Sequence, residues 1–174
     1  MNANRVAGLV ENTEADAWMV SAGSREILEW FADQNQNAFA LFGRRKGLSI
    51  AGAGPNKSPL FSSITRRLIE LGHRRISLLC RSQLRQPSPA ESLRNFLSEL
   101  ESAGVKTGKC HLPDWEENKA GFAKALDSLL EHTPPTALIL DKPFLYNAAY
   151  HRLARRGLRV PEDVSLVCTD GLPA

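Results

Sequence analysis

Leu71-Gly72-His73-Arg74-Arg75-Ile76 and Arg156-Gly157-Leu158-Arg159-Val160-Pro161-Glu162-Asp163-Val164-Ser165 decide the fold of this chain. Each is a helix that stops at a glycine and then runs into an apolar strand. Gly72 and Gly157 suit the left-handed residue that closes a helix, and Pro161 keeps the second helix from continuing. Outward from these blocks, helical and strand patterns alternate along the whole chain, which predicts an α/β fold with mainly parallel sheets.

The spacing predicts a helix over 3–13, a strand over 17–20 and a helix capped by Ser24 that buries Ile27, Leu28, Phe31 and Ala32. Strands are predicted over 38–42 and 49–53. A helix carrying Leu60, Phe61, Ile64, Leu68 and Leu71 then ends at Gly72. Ile76 to Cys80 reads as the first strand of a second sheet, followed by a basic loop over 81–87. Ser88-Pro89-Ala90-Glu91 has the form of a capping box with proline at the first helical position. The helix it opens buries Leu93, Phe96, Leu97 and Leu100 and stops at Gly104. A strand near 108–112, a helix with Phe122, Leu126, Leu129 and Leu130, a strand over 137–140, a helix to Arg156 and a strand over 164–168 complete the series.

The 174 residues suit one domain or two small lobes, and 43% apolar with 24% charged residues is an ordinary globular composition. Net charge is +3 and the isoelectric point about 8.9. That is mildly basic, short of a dedicated nucleic-acid binder. The basic pairs (Arg44-Arg45-Lys46, Arg66-Arg67, Arg74-Arg75, Arg155-Arg156) read as helix ends complementing the macrodipole, with a DNA-contacting stripe as the alternative. Glu11, Glu14 and Asp16 interrupt any secretion signal, and no apolar run reaches membrane-spanning length, so a cytoplasmic protein is expected. Cys80, Cys110 and Cys168 read as reduced thiols, and no cysteine or histidine pair has metal-ligand spacing. No cofactor is expected.

Taken together, Ala15-Asp16-Ala17-Trp18, the Leu71–Ile76 block, Pro135-Thr136-Ala137-Leu138-Ile139-Leu140 and the Arg156–Ser165 block resemble, in this order, the effector-binding core of LacI/GalR-type bacterial transcription regulators. The resemblance implies two Rossmann-like lobes of the periplasmic-binding-protein-like type I, clasping a small molecule and truncated at both ends. Residues 1–72 would be a partial N-lobe and 73–174 the C-lobe. It further implies a probable sugar-like effector, a homodimer, and DNA contacted only through a separate head outside this chain. A solute-binding protein of a sugar transport system is the alternative. An enzyme is not expected, because no nucleophile elbow, P-loop or complete dinucleotide fingerprint occurs. His73, His111, His132 and His151 are scattered.

Ligands of open α/β lobes meet the loops at the carboxyl ends of strands. The resemblance places Trp115 where the family stacks an effector, the alternative being a plug against the core. It makes Asp170 a hydroxyl acceptor, or else a turn cap. Asn56 stands where the family has aspartate, or is a plain turn residue after Gly54-Pro55. Two departures argue against an ordinary neutral-sugar site. The family's ligand arginine falls on Ser92, with Arg94 on another face of the same helix. Its Asn-Asp pair becomes Lys142-Pro143, preceded by Asp141; Lys142 could hold an anion or lie in solvent. Ser24, beside Arg25, could bind an anion or hydroxyl at its helix start, or serve only as the cap.

Overall fold

A computed structural model describes residues 3–34, 36–43, 45, 47–56, 58–85 and 88–170. Arg44 and Lys46 of the basic cluster, and the end of the basic loop at 86–87, lie outside the described residues. Two separate three-stranded sheets form, both wholly parallel, in two compact units, 1–56 and 57–174.

The first unit runs α1 (Ala3–Glu11), β1 (Trp18–Ser21), α2 (Arg25–Asp33), β2 (Ala38–Leu41) and β3 (Ala51–Ala53), with sheet order β1-β2-β3. Burial alternates along β1 and β2, so one face packs under the helices. Ile27 and Phe31 of α2 and Val6 of α1 meet Trp18, Val20 and Ala38 there. On the other face, Met19 and Phe39 are register partners and both are exposed, Met19 by 72%.

The second unit runs α3 (Ser58–Glu70), β4 (Ile76–Leu79), α4 (Ser82–Arg85), α5 (Glu91–Ser102), α6 (Lys119–His132), β5 (Ala137–Leu140), α7 (Pro143–Arg155) and β6 (Ser165–Cys168), with order β4-β5-β6. β4 and β5 are buried at every position, as expected of parallel strands covered on both faces. Strand periodicity sorts their side chains. Ile76, Leu78, Ala137 and Ile139 face Phe61 and Leu68 of α3 and Leu93, Phe96 and Leu100 of α5. Leu79, Leu138 and Leu140 face Phe122, Leu126 and Leu129 of α6 and Leu145, Ala149 and Leu153 of α7. Each fully buried side chain of this size contributes on the order of 2 kcal/mol from removal of apolar surface.

Three helices of this unit end in the same way. The amides of Gly72, Gly104 and Gly157 bond back to Ile69, Glu101 and Ala154, and the next residue's amide bonds to Leu68, Leu100 and Leu153. This is the Schellman pairing, with the glycine at positive φ.

The division between the two units falls at 56/57, and α3 packs against α5 through Phe61 and Leu68 and an Arg66–Glu99 ion pair of 2.7 Å. Three expectations are corrected. The segment near 108–112 is a turn and not a strand. It docks on β4 through just two bonds, from the Leu78 amide to the His111 carbonyl and from Ser77 Oγ to the Cys110 carbonyl. The loop after β4 contains the short helix α4. Finally, α5 begins at Glu91 with Ala90 as its cap and no side-chain capping bond. The Ala90 amide is held by the Leu84 carbonyl, which ties the start of α5 to α4.

Candidate functional site

The ladders of the second sheet continue one residue past its strands: the Asp141 amide reaches Leu79 and the Thr169 amide reaches Leu140. This sets Arg81, Asp141, Lys142 and Asp170 along the carboxyl edge of β4-β5-β6, where α/β folds take ligands. Lys142 Nζ donates to Asp170 Oδ2, and each side chain is 27% exposed. Asp141 is buried. Its Oδ2 accepts from the Arg81 amide at 3.3 Å and from Arg81 Nε at 3.2 Å, while Oδ1 has no partner among the described residues. Burial pushes the Asp141 carboxyl above the usual aspartate range, opposed by the two bonds from Arg81. Burial and the nearby Asp141 also push the Cys80 thiol up to about 12, so Cys80 stays a protonated, inert core thiol.

Trp115 adjoins this edge. Its Nε1 donates to the Cys80 carbonyl at 3.0 Å, and its ring meets Phe122 edge-on at 5.4 Å. The indole packs partly buried against the α6–α7 side of the core. Arg85 lies over the ring, its guanidinium carbon 5.9 Å from the centroid. An open groove here is lined by Ser82, Arg85, Asp114, Trp115, Glu116 and Glu117. A second hollow, lined by Trp18, Phe31, Asn37, Phe39 and Ile50, opens at the amino ends of β1–β3, the edge of a sheet that α/β proteins do not use for ligands.

Of the remaining candidates, two lie on α5 and two in the first unit. Ser92 is buried on the inner face of α5 with Leu93 and Phe96. Arg94 is on the exposed face, donating to the Pro89 carbonyl at 2.6 Å. Ser24 and Asn56 belong to the first unit. Ser24 caps α2, accepting from the Ile27 amide at 3.3 Å, and Arg25 Nε binds Glu29 at 2.6 Å. Asn56 is exposed three residues beyond β3.

The sequence did not single out Arg81, Arg85 or Glu117. Arg85 is buried, its side chain only 6% exposed, and pairs with Asp114; Glu117 accepts from the Ser82 amide. The available signal was two arginines, Arg81 and Arg85, four apart shortly after a mostly apolar strand. A solvated loop and a structural clamp share that pattern. Among the described residues no cluster of metal-binding groups occurs, and no helix is long and apolar enough to cross a membrane.

Two parallel sheets, the second covered by helices on both faces and bearing polar side chains at its carboxyl edge, define a Rossmann-like α/β binding domain. The chain belongs to the periplasmic binding protein-like domain family, whose profile matches residues 65–174. Its fold is that of LacI-type regulators. The CelR regulator in complex with cellobiose superposes with a TM-score of 0.76 at 22% identity, over 94% of this chain and 51% of that one. A sugar-binding LacI-family regulator from Escherichia coli complexed with phosphate gives 0.76 at 21% identity, over 97% and 63%. In sequence, the transcriptional repressor PurR of Aliivibrio salmonicida is 29% identical over 113 residues, covering 62% of this chain and 32% of that protein. The regulator RafR of Escherichia coli is 34% identical over 110 residues, covering 63% and 32%. The chain thus spans about a third of the length of these curated relatives.

Proposed function

We propose that this chain is the effector-sensing part of a LacI-type transcription regulator, and that it takes a small polyhydroxylated effector at the carboxyl edge of β4-β5-β6. The observation that carries this reading is the partly exposed Lys142–Asp170 pair at that edge. One hydroxyl can accept from the ammonium and donate to the carboxylate at once, giving two charge-assisted hydrogen bonds without separating the charges. A free anion would instead compete with Asp170 for Lys142, which favours a neutral polyol over an anionic ligand. The first unit corresponds to part of an N-lobe and the second to the C-lobe. Ser24, Asn56, Ser92 and Arg94 are not needed for this contact.

In the whole protein, effector binding changes the affinity of a separate DNA-binding head through a homodimer, a coupling of about 1–3 kcal/mol. The protein acts in the cytoplasm and is not an enzyme. The named relatives are regulators, which favours this role over solute transport.

Thermal-shift screening of the chain against mono- and disaccharides, sugar acids and purines tests the reading. A millimolar neutral sugar with micromolar affinity raises stability by RT ln(1 + [L]/Kd), about 4 kcal/mol. Asp170→Asn and Lys142→Met each weaken binding by about tenfold or more, as expected for losing a charge-assisted bond. If no sugar shifts the melting temperature, the effector class is wrong. If both variants bind as the parent does, the contact residues are wrong.

A further inference from the structure

Arg85 is tied into the site far more tightly than a loop arginine requires. Its Nε donates to the Cys80 carbonyl at 3.1 Å, the same oxygen that takes the Trp115 indole N–H. One terminal nitrogen donates to the Trp115 carbonyl at 3.0 Å, and the other pairs with Asp114. The guanidinium lies over the Trp115 ring. A buried arginine whose three nitrogens all have carbonyl or carboxylate partners is costly to move, because its own charged donors would lose those partners while still shielded from water. The indole is therefore engaged on three sides: its N–H by Cys80, one flank by Phe122, one face by Arg85.

We propose that Arg85 sets the specificity of this site by withdrawing Trp115 from ligand stacking. The tryptophan then serves as wall and not platform, and the site selects a compact polyol held through Lys142 and Asp170 over a ligand that needs an aromatic face for a second sugar ring. Stacking of a sugar on indole uses a ring face, and a guanidinium held over one face at 5.9 Å by three further hydrogen-bonded or charged partners obstructs that approach. This rests on the carboxyl edge being the ligand site, whereas the shielding itself can be measured without any ligand.

The test uses the full chain with Trp18→Phe and Trp30→Phe, leaving Trp115 as the sole indole. Acrylamide quenching of its fluorescence rises by about twofold on Arg85→Ala, as one ring face is uncovered. Arg85→Lys, which keeps the charge and loses the plane, falls between the two and provides the comparison if Arg85→Ala does not fold. With cellobiose as a stacking probe, Trp115 in the parent stays as quenchable as before. Equal quenching in all three proteins overturns the proposal, and so does protection of the parent's Trp115 by cellobiose. If the quenching contrast holds while no polyol stabilises any of the proteins, the shield stands and the effector reading falls.

Discussion

Replacing His73 with alanine should cost the second unit about 2 kcal/mol, and the loss should carry a pH signature. The His73 ring joins the turn after α3 to the starts of β5 and β6, with Nδ1 3.0 Å from Thr136 Oγ1 and Nε2 3.2 Å from Ser165 Oγ. Thr136 Oγ1 donates to the Arg75 carbonyl at 3.4 Å, so it accepts from His73 Nδ1–H. Nε2 is then the acceptor for the Ser165 hydroxyl, a tautomer assigned from the network. Two such bonds are worth about 0.5–1.5 kcal/mol each, the basis of the 2 kcal/mol figure. Burial holds the His73 pKa below its usual 6.5. A lowered histidine favours the neutral form in the folded state, so its contribution is full above about pH 6.5 and is lost as pH falls from there toward the folded value. His111 is lowered for the same reason and adds a slope of the same sign. Urea denaturation followed by circular dichroism at pH 7.5 and 5.5 is the assay. The parent should lose stability between the two pH values, and His73→Ala should lose less, keeping only the remainder from His111 and other groups. A variant that unfolds at the parent's urea midpoint with an unchanged pH slope refutes the staple.

Two further outcomes follow from packing. Phe96, fully buried among α3, α5 and β4, should cost about 3–5 kcal/mol on Phe96→Ala. Met19→Ser, on the exposed face of the first sheet, should change the unfolding free energy by less than about 0.5 kcal/mol. Comparable losses at the two positions would mean that the burial is misassigned. Gly121→Ala should disturb the Trp115 loop, because the new Cβ would sit 2.4 Å from the Glu116 carbonyl oxygen while the Gly121 amide is held by the Asn118 cap. A shifted Trp115 emission with the far-ultraviolet spectrum retained is the expected result, and an unaltered emission contradicts it.

The helix stops were legible because they are chemically local: a glycine at positive φ and an apolar run announce themselves within six residues, as at Gly72 and Gly157. The mostly apolar β4 and the fully apolar β5 were equally plain. Near Cys110 local pattern failed, since what makes a strand there is a ladder, and only two bonds to β4 form. The α5 start failed likewise, because the bond from the Ala90 amide to Leu84 comes from a helix the loop composition did not announce.

For the site, sequence order placed Asp141, Lys142, Asp170 and Trp115 after strands or in loops, and that much followed from periodicity and punctuation. Which of them meet was a tertiary matter. Lys142 and Asp170 are 28 residues apart and Arg81 and Asp141 are 60 apart, and each pair is joined only when parallel pairing brings adjacent strand ends to one edge. Periodicity acts along the chain over a few residues. Charge pairing and the seating of Arg85 on Trp115 act across it, and no local pattern encodes them.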